Sequence, residues 1–133
     1  MRGASAIADV LKANPDPRLR VYVIWEPVLE TDWGTPSPTL TNNVADPRAL
    51  HFWDPGRTLS AAYGGASNLD ALAPTRKIAF RMKDVVWDAA LIYPPKTKWG
   101  TPAQLLIAPV FKFRDDLALA LPSRDRKGAD IAH

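Results

Sequence analysis

The sequence predicts one mixed α/β domain, on three observations. Runs rich in β-branched and aromatic residues alternate with segments whose apolar residues recur at helical spacing. A helical segment separates the first two such runs, which is the order of a parallel βαβ unit. The last two runs are joined by a short proline- and glycine-bearing loop, as in an antiparallel hairpin.

The elements follow in order. Ile7, Val10 and Leu11 fall at i, i+3 and i+4 and predict a helix over about residues 5–13, with Ser5 as its N-cap and Asn14-Pro15 as its stop. The segment Arg20–Leu29, RVYVIWEPVL, is the strongest strand signal. Its nearly unbroken apolar run from Val21 to Trp25 predicts a central strand buried on both faces, ending near Glu26 because Pro27 has no N–H to donate. Ser37 and Pro38 then start a short helix whose inward residues are Leu40 and Val44. Ala49–Trp53 is the second strand, and Asp54-Pro55-Gly56 is a turn.

Leu59–Tyr63 is a short helical stretch ended by Gly64 and Gly65, and residues 66–76 have the composition of a loop. Residues 77–86 fit two periods: Ile78, Phe80 and Met82 fit a strand, and Ile78, Met82, Val85 and Val86 fit a helix. Trp87–Tyr93 and Gln104–Val110 form the hairpin, and Phe113–Leu121 is a helix stopped by Pro122. Residues 1–122 are thus expected to form one domain, with 123–133 a flexible tail. Val21, Val23, Trp25, Phe52, Leu91 and Leu106 are the expected core.

Composition narrows the chemistry. The 133 residues include no cysteine, which excludes disulfides, thiolate metal sites and thiol catalysis. No run approaches 18 apolar residues, and Asp9 and Lys12 interrupt what would be the apolar stretch of a signal peptide. The expectation is a cytoplasmic protein, or a mature form whose leader has been removed, with no membrane partner. Residues 1–66 hold six basic and seven acidic residues, net −1, and residues 67–133 hold eleven and seven, net +4. These charges are interspersed, as on a solvated face, and do not favour nucleic acid as a partner. Phosphate loops, zinc spacings and nucleophile elbows are absent, so no cofactor or metal is expected.

The strings VYVIWEPVL, HFWDPGRTLS and WDAALIYPP, with Trp99 after them, resemble a group of uncharacterised bacterial thioredoxin-like proteins over roughly residues 7–110. The resemblance implies a thioredoxin-like three-layer fold with a mixed sheet, here lacking its first strand. It also locates a departure. The Cys-x-x-Cys of such proteins lies between the first strand and the first helix, and that position falls in Met1–Ser5 or before the chain starts. No cysteine stands there, and the proline expected ahead of the third strand is missing from Met82–Val86. Without a thiolate there is no thiol–disulfide exchange.

Two functions follow from the resemblance. The first is a non-catalytic interaction module that binds a protein, either another subunit or its own copy. The second is a thiol–disulfide oxidoreductase whose N-terminal strand and Cys-x-x-Cys are absent from this chain. The candidate interaction surface is Glu26, Pro27, Asp32, Trp33 and Trp99, since tryptophans in proline- and glycine-rich loops make binding surfaces when exposed. Glu26, Glu30 and Asp32, at the end of the strongest strand, are either an acid–base pair or solvated charges. His51 has only His133 as a second histidine and lacks the partners of a metal site, so it reads as a structural or surface residue.

Overall fold

A computed structural model describes residues 2–29, 31, 34–62, 75–78, 86–98 and 100–121. The chain is mixed α/β: α1 (Arg2–Ala13), β1 (Val21–Trp25), α2 (Pro38–Thr41) running into a 3-10 turn (Asn42–Val44), β2 (Ala49–Trp53), α3 (Thr58–Ala62), β3 (Thr75–Ile78), β4 (Ala90–Ile92), β5 (Leu105–Ala108) and α4 (Arg114–Ala120). The tail from 122 onward and Tyr63–Gly65 lie outside the described residues, as does most of the ambiguous stretch 77–86. Its first two residues, Lys77 and Ile78, belong to β3, which begins at Thr75 inside the segment expected to be loop.

The strands pair in two sheets. β1 and β2 run parallel with Val21 opposite Ala49 and Trp25 opposite Trp53, as the βαβ order predicts. β5 stands between β3 and β4, parallel to the first and antiparallel to the second. The hairpin is thus present, with a parallel neighbour that periodicity did not reveal. Pairing among the described residues does not join the two sheets into the single mixed sheet expected.

The core gathers around β5. Leu106 and Ile107 are fully buried, and Ile107 and Val110 pack with Ala6 and Val10 of α1 and with Leu117 and Leu121 at α4. The two-sided burial expected of Val21–Trp25 belongs to β5 instead. In β1 burial alternates, with Val21, Val23 and Trp25 half-buried and Tyr22 and Ile24 exposed. Leu91 is half-buried, and Phe52, expected in the core, is exposed. The physical reason is cover: side chains of α1 and α4 pack on Ile107, and Val86, Ala89 and Ala103 pack on Leu106, whereas Tyr22, Ile24, Leu50 and Phe52 are exposed.

Helix ends are set by distant groups. α1 begins at Arg2, so Ser5 lies inside it and is not its cap. The carboxyl of Asp88 stands against Gly3 so closely that a Cβ there would lie 1.5 Å from Oδ1, and an anion beside a helix N-terminus is favourable. At the other end the Arg48 guanidinium donates to the carbonyls of Leu11 (2.8 Å), Asn14 (2.6 Å) and Asp16 (2.9 Å), supplying donors that the last turn lacks. Asp46 holds Arg48 from the opposite side at 2.9 and 2.8 Å. The buried Asp16 carboxylate takes Arg18 in the same bidentate way, at 3.0 and 2.6 Å. Ser37 caps α2 with Pro38 in its first turn, and Val44 is buried behind it, as the sequence predicts.

Candidate functional site

The two faces of the β1–β2 pair differ. Register places Tyr22 beside Leu50 and Ile24 beside Phe52, and paired residues of neighbouring strands share a face. All four of these side chains are apolar and exposed: Tyr22 by 63%, Leu50 by 53%, Phe52 by 48% and Ile24 by 37%. The Tyr22 and Phe52 rings lie diagonally across the face with centroids 6.3 Å apart. This is a contiguous apolar surface, whereas scattered single exposures are ordinary.

The opposite face carries Val21, Val23, Trp25, Ala49, His51 and Trp53, all half-buried. Here Trp25 Nε1–H donates to His51 Nδ1 at 3.0 Å, and the rings stack at 6.0 Å. The tautomer this requires carries its hydrogen on Nε2, which lies 3.1 Å from the Val44 carbonyl and donates to it. His51 therefore ties β1, β2 and the 3-10 turn together, and both ring nitrogens are engaged. Of the two roles the sequence leaves open, structural or surface, His51 has the structural one.

At the carboxyl ends of the two strands, where open α/β sheets place their sites, stand Glu26, Asp54 and Ser60. Asp54 Oδ2 accepts the Leu59 N–H at 2.8 Å. That bond and a second from the Thr58 N–H hold the Asp54 carboxyl below the usual carboxylate range. Glu26 accepts the Ser60 N–H at 3.1 Å and its hydroxyl at 2.5 Å, and Ser60 Oγ accepts the Val86 N–H at 3.0 Å. The three N–H groups that open α3 are thus satisfied by two carboxylates, one from each strand end. This arrangement caps a helix, and it accounts for the buried Ser60 hydroxyl.

The sequence candidates fare unevenly. Glu26 is half-buried, and its carboxylate is committed to Ser60. Strand pairing brings the Asp54 carboxyl alongside it. Pro27 is half-buried directly after β1. Asp32, Trp33 and Trp99 lie outside the described residues, as does Glu30. Tyr22, Ile24, Leu50 and Phe52 were not candidates. In VYVIW every residue is apolar, so period-2 patterning carries no sign of which face lacks a cover.

Elsewhere, Arg2, Ser5, Ala6, Asp9, Phe111 and Arg114 line a shallow open depression. Its cations are engaged: Arg114 pairs with Asp9 at 3.3 Å, and Arg2 stands 5.8 Å over the Phe111 ring. Among the described residues no group of three His, Asp or Glu side chains is placed to hold a metal ion, and no helix is long and apolar enough to cross a membrane. Comparison with family models, curated proteins and solved structures finds no match.

Proposed function

We propose that this chain is a non-catalytic interaction module of thioredoxin-like type, and that it binds protein through the outward face of β1 and β2. The observation that carries this reading is the four-residue apolar face of Tyr22, Ile24, Leu50 and Phe52. Parallel strands are ordinarily covered on both faces, because a bare apolar face leaves its burial free energy unused. The polar groups with chemical potential support the same reading. Glu26, Asp54 and Ser60 are committed to α3, and His51 to Trp25 and Val44. The thioredoxin-like part rests on the resemblance of the sequence strings and on an element order in which a parallel βαβ unit is followed by β3, an antiparallel hairpin and α4.

The test places a photo-crosslinking residue at Tyr22 and, as a control, at the equally exposed Leu119 of α4. Irradiation in a lysate of the native host should yield discrete protein adducts from position 22 that Phe52→Glu abolishes. Adducts no more frequent than at Leu119, or indifferent to Phe52→Glu, would overturn the reading.

A further inference from the structure

We infer that the tip of the β4–β5 hairpin is a binding surface for single-stranded nucleic acid, with Lys96 and Lys98 taking phosphates and Tyr93 stacking on a base. This surface is separate from the β1–β2 face, and the inference does not depend on that face. In the sequence the basic residues are interspersed, but the fold gathers them. Residues 71–114, which carry the β3–β5–β4 sheet, hold eight basic and two acidic residues, net +6, and the rest of the chain holds nine and twelve, net −3. Register sets Thr75, Leu105 and Ile92 abreast, so β3 opens, with Thr75, Arg76 and Lys77, at the end of the sheet from which the hairpin tip extends. Four cations distant in sequence thus share one end. Asp88, one of the two acids, stands at the opposite end, where its carbonyl accepts the Val110 N–H and its carboxyl lies half-buried against Gly3.

The tip presents these groups in a fixed form. Tyr93, Lys96 and Lys98 are exposed, and neither lysine pairs with a carboxylate among the described residues. Pro94 and Pro95 fix their own φ angles, and the Thr97 hydroxyl donates to the Pro94 carbonyl at 2.6 Å, so little backbone freedom remains to be lost on binding. Lys96 has φ +62°, in the left-handed region where glycine is favoured, so the charge stands there against the backbone's preference. Residues 89–114 contain no acid. Charge complementarity therefore selects a polyanion. The kind of cation and the ring select among polyanions. Lysine is depleted in protein–protein interfaces, where arginine is favoured, whereas a phosphate backbone takes lysine as a point charge. An exposed aromatic ring beside such cations stacks on a base of any identity once that base is unpaired.

Fluorescence anisotropy of the purified full chain with a labelled oligothymidylate of about 12 nucleotides tests this. Affinity of the wild-type chain should fall at least about tenfold between about 50 mM and about 200 mM salt, a readout that needs no variant. Lys96→Gln and Lys98→Gln should each weaken binding about threefold or more at the lower salt and make the salt dependence shallower. Tyr93→Ala should weaken it about fivefold or more, and Tyr93→Phe should preserve it. Lys112→Gln removes the same charge from an exposed lysine beyond the opposite end of β5, and should leave the affinity within about twofold. No saturable binding up to about 100 μM protein at the lower salt, binding indifferent to salt, or a loss from Lys112→Gln equal to that from Lys96→Gln would overturn the inference. Equal affinity for a duplex, with Tyr93→Ala without effect, would overturn the single-stranded ligand. Competition by oligoglutamate as effective as by unlabelled oligothymidylate would overturn nucleic acid as the partner. Phe52→Glu should change none of these affinities, which separates this test from that of the β1–β2 face.

Discussion

Gly3 and Asp88 are far apart in sequence and in contact in the fold, and their contact decides what α1 tolerates at its start. Alanine is ordinarily better than glycine in a helix by about 1 kcal/mol. Here the added Cβ would lie 1.5 Å from the Asp88 carboxylate. The Asp88 carboxylate has little freedom to withdraw, because it accepts hydrogen bonds from the backbone N–H groups of Phe111 and Val110. Gly3→Ala should therefore lower stability by about 1–3 kcal/mol, as overpacking does. In an Asp88→Gly background the same change should cost less, or gain the helix-propensity increment. Urea unfolding of the four proteins of this cycle measures the coupling. Equal effects of Gly3→Ala in both backgrounds would show that the contact is not what excludes alanine.

At the scale of elements, the two sheets make opposite forecasts for residues of the same apolar character. Leu106 of β5 is fully buried among Ala103, Val86, Ala89 and Leu91. Leu106→Ala should cost about 2–5 kcal/mol, the range for a buried leucine whose surroundings cannot collapse. Phe52 of β2 is half exposed, and Phe52→Ala should cost about 1 kcal/mol or less in dilute solution, because little burial is lost. Melting temperatures of the two variants give the order directly, and a reversed order would place the core on β1–β2. The alternation in β1 explains why this was hard to read in advance. A one-sided strand normally announces its wet face with polar residues; in VYVIW the wet face is itself apolar.

For the whole molecule, the carboxylates set the acid limit of stability. The Arg48 guanidinium, hydrogen-bonded to Asp46, holds that carboxyl down at about 2. A carboxyl depressed in the folded state stabilises the fold at every pH above its unfolded value near 3.8, and the stabilisation is lost as pH falls from there through about 2. Asp46 is mostly buried beside its partner, and its contribution is about 1–2 kcal/mol after allowance for screening. Asp54 acts with the same sign. Asp88 acts against them. Burial raises its carboxyl, so its cost to the fold is present at neutral pH and is relieved as pH falls through the raised value. Asp46→Asn should lower stability at pH 7 and flatten the acid limb between about pH 4 and pH 2, as read from urea midpoints across that range. An unchanged acid limb would mean that Arg48 is held by the Leu11, Asn14 and Asp16 carbonyls alone.

The sequence by itself determined the α/β class, the parallel βαβ unit, the hairpin and the Ser37 cap. These follow from local rules: apolar period, proline and glycine punctuation, and the short reach of capping side chains. It also determined that thiol chemistry is closed to this chain, since no fold supplies a missing sulfur. The tertiary structure alone decided which strand became the centre, that Glu26 would cap α3 beside Asp54, that Asp88 would stand at Gly3, and that one face of β1–β2 would remain bare. Each of these depends on which elements meet. A run such as VYVIW contains the same free energy of burial wherever it stands, and only the neighbours that the fold brings to it determine how much of that free energy is used.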